Sequence, residues 1–341
     1  MKNAIKKLKL ATMTILLTFA FGSINTALAE KARVDLLSSP FGTSSYIIGT
    51  ALEEITRDSD APLQVGHSES PGVAYNLIKM AKKPALKKTT IQANSIQLIY
   101  MARAGAGPFK RMKGGIAKDI RQIANYNATA RFYVSRDPAI KEIGDLKGKS
   151  IGLGTKQQAW GFAAMWDLTL GGGMKPNQFK PQLIGTKAAI SAFKDRLVDA
   201  VVGGAYINPV TGQYVPAPFF RELTATGEKL YYINVGEKGL RRESKMLRIP
   251  HSAFTLKPEN VPGLNQPITI SISTLGWWAY LDFPEEQAYQ LTKVLIKNVD
   301  KFAKYHALGQ LMSKEMLCYQ FTPEETHPGA YRAYKEAGLM K

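Results

Sequence analysis

The chain has 341 residues, a formal net charge of +18, 45% apolar residues and a single Cys. This composition excludes a disordered or low-complexity chain, and one Cys excludes a disulfide framework or a multi-Cys metal site. His67, His251, His306 and His327 show no HExxH spacing, which argues against a zinc hydrolase.

Residues 1–29 read as a targeting segment. Lys2, Lys6, Lys7 and Lys9 form a basic start, an apolar run follows from Leu10 to about Gly22, and Ala27-Leu28-Ala29 precedes Glu30. That is the pattern of a secretory signal peptide cleaved after Ala29. A single anchor helix is the alternative, but the apolar core is short for a bilayer. The expected product is exported to a periplasm, with 312 residues and a net charge of +14. No later stretch is apolar for long enough to span a membrane.

The rest alternates strand-like and helix-like segments. Arg33–Ser38 is a predicted strand, Tyr46–Arg57 a helix, Leu63–Gly66 a strand and Gly72–Met80 a helix. Thr90–Ala93 is a strand ahead of the Ile96–Arg103 helix. Arg131–Ser135 and Ile151–Gly154 are strands, and Gln158–Leu170 is a helix stopped by Gly171-Gly172-Gly173. Ala188–Leu197 is a helix; Asp199–Gly203 and Tyr231–Val235 are strands. Ile268–Leu281 is a long β-rich run and Pro284–Tyr305 the longest helix, with Glu285 and Glu286 in its first turn. Stretches 204–218 and 236–267 read as loops. The βαβα rhythm predicts an α/β fold with a largely parallel sheet in about two domains.

Several segments carry a family resemblance. Asp145-Leu146-Lys147-Gly148-Lys149, leading into Ser150–Gly154, resembles the opening of the second lobe of type II periplasmic binding proteins. Val198-Asp199-Ala200 resembles a strand entry of the same fold. His327–Leu339, HPGAYRAYKEAGL, closely resembles the C-terminal signature of the TAXI family, the solute receptors of tripartite (TRAP) transporters. Gly42–Leu52 resembles that family's first ligand loop. The resemblance runs patchily over nearly all of 33–341.

What it implies is an α/β, two-lobe type II periplasmic binding protein fold with a ligand cleft between the lobes and a two-strand hinge. Residues 30–132 and about 250–341 would form lobe 1, and 133–249 lobe 2. The hinge strands would lie near Arg131–Ser135 and within Ile268–Leu281. The receptor would capture a small organic acid or amino acid, anionic or zwitterionic, and deliver it to TRAP permease membrane subunits, without a cofactor. Competing classes are a receptor for an ABC importer or a sensor kinase, and an enzyme. No G-x-S-x-G motif or locally supported nucleophile set favours the enzyme. Lys82, Lys83, Lys87 and Lys88 read as a solvated turn, not as a nucleic-acid site.

The ligand residues carry over where the motifs match. Ser44, Ser45 and Tyr46 lie in the first loop, which feeds a helix N-terminus able to hold a carboxylate. Ser44 also reads as a plain helix cap, and the two roles can coexist. Gly72 survives from the second loop, and Asn94 stands where the family has Asp. In the fourth loop Gln158 and Trp160 replace small residues, so bulk there shrinks the pocket or gives a stacking wall; Trp160 reads equally as helix core. Arg131 is a candidate carboxylate partner or a surface Arg. Tyr206 sits at a strand-to-loop end, where ligands bind in open α/β sheets. Trp277 and Trp278 point to opposite faces of their strand. The altered loops point to a ligand other than glutamate, larger or more apolar. Cys318 reads as a buried, inert thiol.

Overall fold

The computed structural model describes residues 31–341 except 113, 114, 157, 260 and 262; the expected signal peptide lies outside the described residues. Strand β1 (Ala32–Leu37) is followed by helix α1 (Ser44–Arg57), β2 (Leu63–Ser68), α2 (Val73–Lys82), β3 (Thr90–Ser95) and α3 (Ile96–Ala104). These strands pair in parallel, β2 and β3 flanking β1, as βαβ crossovers require. Along α1 the buried apolar residues Ile48, Leu52 and Ile55 recur at helical spacing and pack on Val34 and Leu36 of β1.

A second set repeats the plan: β5 (Ser150–Leu153), α4 (Ala159–Trp166), β6 (Lys180–Leu183), α5 (Thr186–Lys194) and β7 (Ala200–Ile207), with β6 and β7 parallel to β5. Two long strands, β4 (Ile120–Ser135) and β11 (Ile268–Tyr280), run antiparallel to each other and join the halves. The sheet order is β2-β1-β3-β11-β4-β7-β5-β6, so the first half reads 2-1-3 before the crossing strands and the second half mirrors it. This is the expected two-lobe type II binding fold with its two-strand hinge.

Each half has its own apolar layers on the two sheet faces. Val34, Ile48, Trp277 and Leu291 belong to one layer of the first half, and Leu77, Ile99 and Trp278 to the other. Phe132, Val201 and Phe220 belong to one layer of the second half; Tyr133, Ile151 and Leu168 belong to the other. Trp277 and Trp278 therefore do separate onto opposite faces, and both are fully buried.

Some segments read as loops are ordered. β7 continues to Ile207 and turns into β8 (Tyr214–Pro216), ahead of helix α6 (Pro218–Thr224). After β9 (Tyr231–Ile233), the stretch 236–267 contains α7 (Glu237–Leu247) and β10 (Ala253–Leu256), which pairs with β11. Tertiary pairing outweighs the weak local signal in these short elements. The predicted 284–305 helix is α8 (Glu285–Asn298), then a tighter turn over Val299–Lys301 and a short α9 (Phe302–Tyr305). Helices α10 (Lys314–Leu317) and α11 (Pro328–Glu336) close the chain. Cys318 is half-buried, and burial raises its thiol pKa.

Candidate functional site

Because β1–β3 are parallel, helices α1, α2 and α3 all begin at the same edge of their sheet, and α4 and α5 do so in the second half. Carboxyl ends of parallel strands are where α/β sheets bind ligands. Between these edges lie the crossing strands. Their register sets three successive rungs: Leu275 beside Asn127, Ser273 beside Thr129 and Tyr206, and Ser271 beside Arg131 and Gly204. Residues opposite each other share a face, so Asn127, Thr129, Arg131, Ser271, Ser273 and Tyr206 form a polar strip. The residues between them, Ala128, Ala130, Ile270 and Ile272, supply the apolar face below.

At the first-half end of this strip sits the N-terminus of α1. Thr43 is the N-cap, its hydroxyl accepting from the Tyr46 N–H, so Ser44 is the first helical residue and not the cap. Asn127 Nδ2 donates to Ser44 Oγ at 2.7 Å, and Ser45 Oγ lies 2.7 Å from the Tyr126 hydroxyl. Adjacent strand residues ordinarily point to opposite faces. Here the β4–β11 register skips Tyr126, and this bulge lets Tyr126 and Asn127 both reach α1. Opposite the bulge is Gly276, where a Cβ would stand 2.5 Å from the Ala124 carbonyl oxygen.

Tyr206 reaches this cluster from the second half. Burial pushes its hydroxyl up to about 12, and the Ser44 N–H opposes that rise. Burial likewise raises the Tyr126 pKa, against the hydrogen bond it shares with Ser45. Both phenols are uncharged at neutral pH. A further link between the halves follows on the same strand end, Asn208 Nδ2 donating to Ser313 Oγ at 3.3 Å.

Arg131 is neither a surface residue nor open to a ligand carboxylate in this structure. It is buried, and its Nε and Nη2 bind the two oxygens of Asp167, with Nη2–Oδ1 at 2.7 Å. Nη2 also donates to Ser271 Oγ at 3.0 Å, and the Tyr133 hydroxyl donates to Asp167 Oδ2 at 3.0 Å. Burial lowers the Arg131 pKa, but the Asp167 carboxylate more than offsets this, so the net shift is upward. Glu243 of α7 is buried beside Asp167; burial first, and then the Asp167 charge, raise its pKa well above the usual carboxylate range. The network is therefore a guanidinium paired with a carboxylate, beside an acid whose neutral form burial favours.

Trp160 packs its ring over Gly204 and meets Phe219 edge-on at 5.2 Å. A Cβ at Gly204 would lie 2.5 Å from Trp160 Cζ3, so glycine is what admits the ring. Trp160 is only half-buried, and it bounds the second-half end of the strip. Of the other predicted residues, Gln158 is exposed and turns its amide oxygen back to the Thr155 N–H at 2.9 Å. Asn94 is buried and ties the Val73 carbonyl to β3 at 2.9 Å, its oxygen accepting from the Ser95 N–H. Gly72 heads α2 with open space around its α-carbon. Tyr46 turns away from Ser44 and Ser45 to pack edge-on against Phe41 and His67.

The structure thus brings Ser44, Ser45 and Tyr206 together and adds Tyr126, Asn127, Thr129 and Ser273. Period-two polarity signals Thr129 with Arg131 on β4, and Ser271 with Ser273 flanking Ile272 on β11; it does not signal Tyr126 or Asn127, because the register skip sets Asn125 and Asn127 on opposite faces.

A Ser–His pair does occur, His67 Nε2 lying 2.8 Å from Ser38 Oγ. Ser38 is fully buried, however, and the other ring nitrogen faces Thr50 Oγ1 at 3.4 Å instead of an acid. This is not a nucleophile triad. Among the described residues no group of His, Cys, Asp and Glu is placed to hold a metal ion, and no helix is long and apolar enough to cross a membrane. A separate cavity of about 780 Å³ lies between the turn after α1 and helices α8 and α11; it contains none of the predicted site residues.

Fold and strip together define a two-lobe α/β protein with a polar strip on its two crossing strands. The NMT1-like family profile matches residues 36–338, and the chain belongs to this family. A comparison with curated proteins gives no match. Among solved structures, the chain is similar to a TctC solute-binding protein from Polaromonas, at 18% identity and a TM-score of 0.49, over 82% of this chain and 86% of that one. It is also similar to the periplasmic aliphatic sulphonate-binding protein SsuA from Escherichia coli, at 12% identity and a TM-score of 0.43, over 90% and 83%. A putative periplasmic sulfonate-binding protein SsuA from Methylobacillus flagellatus matches at 16% identity and a TM-score of 0.46, over 80% and 70%.

Proposed function

We propose that this chain is an extracytoplasmic solute-binding receptor of the TAXI type. It captures a small organic acid or amino acid, anionic or zwitterionic, between its lobes and delivers it to the membrane subunits of a TRAP permease. Export by a signal peptide cleaved after Ala29 places it in the periplasm. It turns over no substrate. The observation that carries this reading is the polar strip on β4, β7 and β11, which lies between the α1 N-terminus and Trp160. A ligand seated there touches groups from both halves, and contacts from both are what stabilise a closed state over an open one.

The test is a thermal-shift screen against amino acids, dicarboxylates, oxo acids, hydroxy acids and aromatic acids, after partial unfolding and refolding to strip carried-over ligand. A ligand that binds only the folded chain raises its apparent stability by mass action. A clear shift with one acid class, with the acid recovered unchanged, supports the receptor. Small-angle scattering then reads closure: profiles that are identical with and without saturating ligand remove the lobe-closure mechanism.

A further inference from the structure

The polar groups around the α1 N-terminus are unequally satisfied, and the inequality names a ligand class. Ser44 Oγ accepts from Asn127 Nδ2, so its own proton remains to be donated. On the next rung of the strip, beside Thr129, Ser273 Oγ is buried with no hydrogen-bond partner among the described residues. The Ser45 N–H lies in the first turn of a 14-residue helix, where backbone donors have no intrahelical partner. Donors of this kind, at a helix start, suit a carboxylate.

One buried group is of the opposite kind. Asn127 is fully buried, and its Oδ1 has no partner among the described residues. Its Nδ2 donates to Ser44 Oγ, so this strand residue brings an acceptor beside the first turn of α1. It calls for a single hydrogen-bond donor on the atom next to the ligand carboxylate. An α-ammonium brings three N–H groups and a charge, and none of the hydrogen bonds within this cluster involves an acidic side chain. Asp167, the buried acid farther along the same face, is held by Arg131. A charge buried without a partner is costly, whereas one hydroxyl satisfies one amide oxygen.

We propose that the cleft selects a 2-hydroxy carboxylate over the matching 2-amino, 2-oxo and unsubstituted acids, with Asn127 accepting from the hydroxyl. This rests on the receptor reading above and deepens it. The test is isothermal titration of the purified protein with matched series that share a side chain: lactate, alanine, pyruvate and propionate; 2-hydroxy-4-methylpentanoate, leucine and their oxo and unsubstituted counterparts; phenyllactate, phenylalanine and theirs. The expected result is at least tenfold tighter binding of the hydroxy acid in whichever series binds. An amino or oxo acid that binds as tightly as its hydroxy partner overturns the proposal and leaves the receptor standing. Silence of every acid overturns both. In Asn127→Ala the hydroxy acid is expected to fall to the level of the unsubstituted acid, while in Asn127→Asp the amino acid gains. An unchanged ranking in an Asn127→Ala protein that still melts cooperatively overturns the role of Asn127.

Discussion

Asn127 and Arg131 stand four residues apart on one face of one strand, yet their surroundings solve opposite problems. Around Arg131 every formal charge is answered within the fold: guanidinium on carboxylate, phenol on carboxylate, and a neighbouring acid pushed toward its neutral form. The hydrogen bonds of Asn127 and its neighbours Ser44, Ser45 and Tyr126 involve no charged side chain among the described residues, and Asn127 Oδ1 and Ser273 Oγ stay open. Buried charge is tolerated only when paired, while open neutral groups are tolerable where a ligand completes them. The cation that invites assignment as the ligand anchor is therefore committed to Asp167 within the fold, and the uncharged helix start is where the proposed ligand would find open groups.

The comparison breaks first at Asp167. Asp167→Ala leaves Arg131 buried without its counter-ion, and urea denaturation is expected to show a loss of about 3–5 kcal/mol. Replacing both partners, as Arg131→Met with Asp167→Leu, is expected to recover most of that loss. If the single variant loses less than about 1 kcal/mol, the pair is not what neutralises Arg131.

Glu243 sharpens the same side. Its folded pKa is raised above the ordinary carboxylate value, so the folded state binds the proton more tightly than the unfolded chain. Stability from this group is present below about pH 4.5 and falls as pH rises from there through the raised value. Glu243→Gln keeps a neutral donor toward Asp167. It is expected to flatten that fall, with melting curves of the two proteins diverging progressively above pH 5. Parallel curves across that range remove the neutral-acid assignment.

Between the two regions lies Trp160. Gly204→Ala sets a Cβ against its ring, and overpacking of this kind costs about 1–3 kcal/mol. Tryptophan emission is expected to shift as the ring is displaced toward solvent, and ligand binding to weaken with it. An unchanged emission spectrum means the ring relaxes elsewhere and does not bound the cleft.

How much of this was readable beforehand differs between the two regions. The repeating βαβ units and the long run at 268–281 announce the fold through period and length. Ser44, Ser45 and Tyr206 follow from loop position and motif. Arg131 was legible as a strand residue, but its partner Asp167 lies 36 positions away on the turn after α4, and no local pattern links them. Gln158 and Asn94 look available in the sequence because side-chain commitment to nearby backbone is invisible there. Tyr126 and Asn127 were hidden for a different reason: a bulge breaks the alternation by which strand faces are assigned.

The bulge gives the smallest effect and the most direct test of the neutral side. Tyr126→Phe keeps the ring against Trp277, whose centroid lies 5.0 Å away, and removes only the hydroxyl that meets Ser45. One net hydrogen bond is worth about 1 kcal/mol, so stability is expected to fall by roughly that amount, with no change in pH dependence. Ligand affinity is expected to fall further than stability does, because Ser45 carries a first-turn N–H and the Tyr126 hydroxyl meets its side chain. Equal losses in Tyr126→Phe and in Ser45→Ala, with no added loss in the double variant, would show the two hydroxyls acting as one unit. Additive losses would mean that each is held by something other than the other, and the bulge would then have no part in shaping the α1 N-terminus.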